Sequence, residues 1–162
     1  MNGQEEFYKY VYWLGENIPK HMQEQAHHFF INKCKEEAIP YIICTSNPFT
    51  WANAIDIIKE IGYPKNKLAT ERIMYLFQDI NWKFAKTALS VVNDIYNHEP
   101  DIVVKAIEKN ARLADKYCDT DWLFGLSWVK ENLKISKNDF QNIETLAFLF
   151  KGEYWDDLDE IE

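Results

Sequence analysis

A polar-Trp element recurs along this chain, and no other feature constrains the fold as much. Its two clearest copies, Asp79-Ile80-Asn81-Trp82 and Asp119-Thr120-Asp121-Trp122, lie 40 residues apart. After each Trp a small residue follows at the third position (Ala85, Gly125) and Leu89 or Val129 at the seventh. Thr50-Trp51, with Ala54 and Ile58 at the same offsets, is a looser third copy. A period of about 40 residues in a helix-rich chain is the signature of stacked helix pairs of the HEAT or armadillo kind. One pair cannot bury its apolar face alone, so pairs stack on their neighbours. The expected fold is all-α, a HEAT-like solenoid of antiparallel helix pairs.

Helix signals place the elements. Residues 5–14 read as an aromatic helix, and Pro19 suits the first turn of a second helix over 20–37, with Met22, Ala26, Phe29 and Phe30 on one face. These two, about 5–37, are expected to cap one end of the stack. The apolar run Ile39-Pro40-Tyr41-Ile42-Ile43 has no partner strand. Thr50 is the expected N-cap of a helix through Ile61, stopped by Gly62 and Pro64. A helix over 65–78 follows, with Ala69, Ile73, Leu76 and Phe77 inward, and then one over 82–97 carrying Ala85, Leu89, Val92 and Tyr96. Pro100 opens a helix over 101–117, with Val103, Ala106, Ile107, Ala114 and Tyr117 on one side. Asp121 is the expected cap of 121–132, and Ser136 with Asp139 forms a capping-box pattern for 137–150. Short loops make these six helices three antiparallel pairs. One domain over 1–152 is expected, followed by an acidic tail over 153–162.

Charge narrows the partner classes once it is located. The net charge is −8, and Glu153, Asp156, Asp157, Asp159, Glu160 and Glu162 supply −6 of it, leaving the preceding residues at −2. The sequence shows no basic stripe of the kind that backbone-driven nucleic-acid binding uses, so nucleic acid is not an expected partner. No apolar run approaches the ~20 residues of a membrane span. Three cysteines without metal-ligand spacing, together with the absence of a signal-peptide pattern, point to a cytoplasmic protein with reduced thiols.

The candidate binding residues are Asp79, Asn81, Trp82, Asp119, Asp121 and Trp122, joined by Asp156, Asp157, Asp159 and Glu160 of the tail. Capping explains the residue types and their repetition together, which makes both Trp residues core plugs. The alternative aligns these loops along one edge as an acidic groove with aromatic walls, suited to a cationic partner. His21, His27 and His28 share a helix, and Glu24 is the only carboxylate at ligand spacing, so no metal or other cofactor is expected. His98-Glu99 is a single pair. Cys118 stands beside Asp119, and no nucleophile or other catalytic constellation emerges. The first helix is apolar nearly all round, which points to burial or to a homodimer.

Tyr75-Leu76-Phe77-Gln78-Asp79-Ile80-Asn81-Trp82, preceded by Ile61-Gly62-Tyr63-Pro64, resembles a family of small bacterial proteins of unknown function. Their hallmark is an Asp-x-Asn-Trp-Pro element, and they are similar to HEAT-like repeats. The resemblance covers about residues 50–97, and Lys83 stands where the family has Pro. It implies a bacterial helical protein from neighbourhoods that encode toxin–immunity pairs, and it carries over no catalytic residue. The expected function is a protein-interaction module of immunity or inhibitor type that binds a basic protein. An enzyme on a HEAT-like scaffold that processes nucleic-acid bases, or a small-ligand sensor, is the rival.

Overall fold

The computed structural model describes residues 3–141 and 144–149, and these contain helices and no strand. Seven α-helices follow one another: α1 Gly3–Trp13, α2 Lys20–Lys33, α3 Trp51–Ile61, α4 Thr70–Ile73, α5 Lys83–His98, α6 Pro100–Lys116 and α7 Thr120–Asn132. Tighter 3-10 segments join them: Glu36–Ile42, Pro48–Thr50, Lys65–Ala69, Met74–Gln78, Lys137–Asp139 and Glu144–Leu149. The all-α expectation holds for the described residues.

Each long helix buries the stripe its sequence spells. α3 turns Trp51, Ala54, Ile55 and Ile58 inward, and Gly62 ends it at φ 71°, a backbone conformation that suits glycine. α5 buries Phe84, Ala85, Ala88, Val91, Val92 and Ile95. α6 starts with Pro100 in its first turn and packs an alanine-rich face (Ala106, Ala111, Ala114) that lets its neighbours approach closely. At the N-terminal end the Tyr10 ring stacks on Phe29 at 4.3 Å, and Phe7 meets Phe30 edge-on at 5.5 Å, which clamps α1 to α2. One continuous apolar core runs from Val11 to Leu149.

Two expected helices are not continuous. Residues 65–78 form a 3-10 segment, one α-turn (α4) and a second 3-10 segment. Thr70, Ile73 and Leu76 are buried at spacings of three, as are Met74 and Phe77, and this is the period at which 3-10 side chains line up. The Thr70 hydroxyl also donates to the Lys67 carbonyl at 2.6 Å, taking up a helical acceptor. The 137–150 helix is replaced by a single turn, Lys137–Asp139, and by Glu144–Leu149. The Ser136–Asp139 capping box does form, but Phe140 leaves it in extended conformation to fill a buried site. The 20–37 helix ends at Lys33, and the 39–43 run lies mostly within a 3-10 segment.

Packing follows the expected order only in part. α3 packs on α5, α5 on α6 and α6 on α7, yet Met74–Gln78 crosses to lie directly against α7, and α4 lies against α6. A strictly linear stack lets each pair touch only its neighbours. Here the first and third expected pairs are in contact.

Candidate functional site

The three polar-Trp starts are locally different. Thr50 does not cap α3, because its backbone is already helical and its hydroxyl donates to the Asn47 carbonyl at 2.9 Å. Trp51 is the first residue of α3, is buried, and its indole N–H donates to the Cys44 carbonyl at 2.8 Å. Asp79 accepts the Asn81 N–H at 2.9 Å in a tight local turn, and Trp82 stays outside α5 in extended conformation, 40% exposed. The cap of α7 is Asp119, not Asp121, since its carboxylate accepts the Trp122 N–H at 3.0 Å. Trp122 is therefore the third residue of α7, 3% exposed, and its indole N–H donates to the Met74 carbonyl at 2.8 Å. Asn81 and Asp121 are exposed.

The six candidate residues consequently have different partners. Trp82 joins Trp51, at 6.5 Å between ring centroids, and Phe84, at 5.0 Å. Trp122 joins Tyr75, within the Met74–Gln78 segment, at 4.7 Å. Of the two, Trp122 is a core residue and Trp82 is half-exposed. Asp156, Asp157, Asp159 and Glu160 lie outside the described residues. Tyr117, expected inward, is 67% exposed because α6 stops at Lys116 and Cys118 turns the chain at φ 54°.

Sequence reasoning missed a further concavity. A groove of about 900 Å³ opens between α1, the end of α2 and the 36–42 segment. Tyr8 on one wall is 53% exposed, and Tyr41 on the other is 48% exposed. Phe7 and Phe29 line it further in. Arg72 steadies Tyr41, its guanidinium 4.5 Å from the ring centre while an N–H donates to the Ile43 carbonyl at 3.0 Å. Lys33, Lys35, Glu6 and Glu37 place charges of both signs at the rim. Burial, with the Glu37 charge adding to it, pushes the Cys34 thiol up to about 11, so it stays protonated near neutrality. The groove thus offers aromatic contact surface and no nucleophile. The signal missed was the 39–43 run, which carries Tyr41 opposite the Tyr8 face of α1.

Two charged clusters lie elsewhere. Glu99, at the α5–α6 corner, accepts from the Lys67 ammonium and the Tyr63 hydroxyl, each at 2.6 Å, while His98 stacks on Tyr63 at 4.2 Å. These hydrogen bonds, Lys67 first, hold the Glu99 carboxyl below its ordinary value and raise both partners. On α6, Lys105, Lys109, Arg112 and Lys116 share one face with Glu108. Asp101, Glu108 and Asp115 along the same helix offset three of these four charges in the sum. His27 pairs with Glu60 at 2.7 Å, and no group of three or more His, Cys, Asp or Glu among the described residues is placed to hold a metal ion.

No helix of the described residues is long and apolar enough to cross a membrane. The chain matches no protein-family model, no curated protein and no solved structure.

Proposed function

We propose that the chain is a cytoplasmic protein-binding module of immunity or inhibitor type, and that its partner is a basic protein docking in the α1/36–42 groove. The observation that carries this reading is the pair of half-exposed tyrosines, Tyr8 and Tyr41, that line that groove. Tyr supplies large amphipathic contact area at low entropy cost and is enriched at binding hot spots. The charge of −8 favours a partner of opposite sign, chiefly by speeding encounter. Kinship with bacterial HEAT-like repeats belongs to the same reading. Trp51 and Trp82 bring the starts of α3 and α5 side by side, as equivalent helices of successive pairs would be. A homodimer through the outer Tyr8–Tyr12 face of α1 is its self-associating form.

The test is affinity capture from host extract on the intact chain and on a Tyr8→Ala/Tyr41→Ala variant, which alters exposed side chains and leaves the core alone. The intact chain should retain a stoichiometric basic protein, and the variant should bind it about 10- to 100-fold more weakly. Equal capture by both would remove the groove from the binding surface. A small aromatic ligand is the second reading, because about 900 Å³ falls within the usual ligand-pocket range. Mass spectrometry of material released from the purified protein distinguishes the two.

A further inference from the structure

α1 packs chiefly against α2 and the Pro48–Thr50 segment, which leaves it at an edge of the described molecule. Its inner side goes to the core through Phe7 and Val11, whereas Tyr8 and Tyr12, one turn apart, are exposed. The groove beside Tyr41 opens at one end of this stripe. Phe49, also exposed, stands at the other end, where its carbonyl accepts the Glu16 N–H at 3.1 Å. Exposed rings thus follow the whole of the 11-residue α1, about 16 Å. Apolar side chains scattered singly over a surface are ordinary, but a row of them marks an interaction site.

Backbone chemistry decides the shape of the occupant. The described elements are all helical, so this surface offers no strand edge among the described residues. An extended peptide lying on it would leave its own N–H and C=O groups without backbone partners. A helix satisfies those groups internally and presents side chains at spacings of three and four, the period of Tyr8 and Tyr12. Laid along α1, it takes the position of the next helix in the layer.

Charge decides its sign. At the groove end, Glu6 and Glu37 match Lys33 and Lys35 in number. Beyond it, Glu5 and Glu16 flank the two tyrosines along the chain. Lys9 lies between them, but its ammonium is drawn over the Trp13 ring at 4.3 Å and the Tyr10 ring at 5.0 Å. The surplus along the stripe is negative and attracts cations.

We propose that the basic partner contributes an amphipathic helix that lies along the outer side of α1. Its apolar residues cover Tyr8, Tyr12 and Phe49, one of them enters the groove beside Tyr41, and its Lys or Arg residues meet Glu5 and Glu16. This inference rests on the protein-binding reading above and adds Tyr12 and Phe49, which lie outside the groove lining.

The probe is a synthetic amphipathic peptide of about four turns, leucine on one side and arginine on the other. Titrated into the full chain and followed by fluorescence anisotropy and circular dichroism, it should bind and gain helicity. Exchanging its arginines for glutamates, or placing proline at its centre, should each weaken binding at least ~10-fold. Tyr12→Ala and Phe49→Ala change exposed side chains, so both variants should unfold at the wild-type temperature and bind the peptide about 5- to 10-fold more weakly. Glu5→Gln/Glu16→Gln should flatten the dependence of binding on salt. No binding at millimolar peptide, or equal binding of the proline-interrupted form, would overturn the proposal. Loss of binding in Tyr8→Ala/Tyr41→Ala with no effect of Tyr12→Ala or Phe49→Ala would confine the occupant to the groove. That outcome overturns the helix along α1 and leaves the protein-binding reading standing, since that reading is decided by capture from extract. A chain that sediments as a dimer, dissociated by Tyr12→Ala, would make the occupant α1 of a second copy and overturn the basic helix as well.

Discussion

Trp122 carries two obligations that Trp82 does not. Its ring is enclosed, and its indole N–H is the donor to the Met74 carbonyl, so truncation leaves both a void and an unpaired buried acceptor. Trp122→Ala should cost ~3–5 kcal/mol in denaturant unfolding. Trp82, with 40% of its surface in water and ring contacts to Trp51 and Phe84, should cost about 1–2 kcal/mol on the same change. Equal losses would show that exposure is a poor guide here. The sequence makes these residues look equivalent, because polar-polar-Trp reads the same in any capping register. The register depends on which carboxylate meets which backbone N–H. Asp119 reaches the third residue of α7, whereas Asp79 is consumed by Asn81, a choice made by the chain's path and not by residue type.

At the scale of elements, the Met74–Gln78 segment is defined by how closely α7 approaches it. A Cβ on Gly125 would lie 1.8 Å from the Phe77 carbonyl oxygen, so only glycine allows this contact. The sequence marked Gly125 as the small residue after Trp, but a spacing of three over a short apolar run does not separate a 3-10 segment from an α-helix. That is why 65–78 reads as one helix and is three pieces. The long helices α3, α5 and α6 were legible because their stripes persist over three or more turns. The Glu99 staple was not legible, because Tyr63 and Lys67 come to it across more than 30 residues. Its carboxyl is held below the ordinary value near 4.5, so its contribution is fully present above that pH. The contribution disappears as pH falls through the lowered folded-state value. Melting temperatures of the wild type and Glu99→Gln should therefore differ by a constant amount between about pH 5 and 8 and converge at lower pH. A difference that persists in strong acid would mean that the residue acts through packing.

For the whole molecule, helix content and core membership were readable from periodicity, but the contact between the outer pairs was not. Nothing in a repeat of 40 residues announces that Met74–Gln78 will cross to α7. The α6 row was hidden for a similar reason: summed charge discards position, and only the helix puts Lys105, Lys109, Arg112 and Lys116 on one side. The ends of a strictly linear array fray independently, whereas the crossing contact ties the first expected pair to the third. Native-state hydrogen exchange should give the slowest amides of α3 and α7 the same opening free energy, within one calorimetric transition. A lower opening energy confined to α7 would refute this. A growing solenoid can duplicate a middle unit and gain length. Here a helix pair inserted between α6 and α7 would pull Trp122 and Gly125 off the segment they grip, so this architecture is closed to extension by duplication at that point.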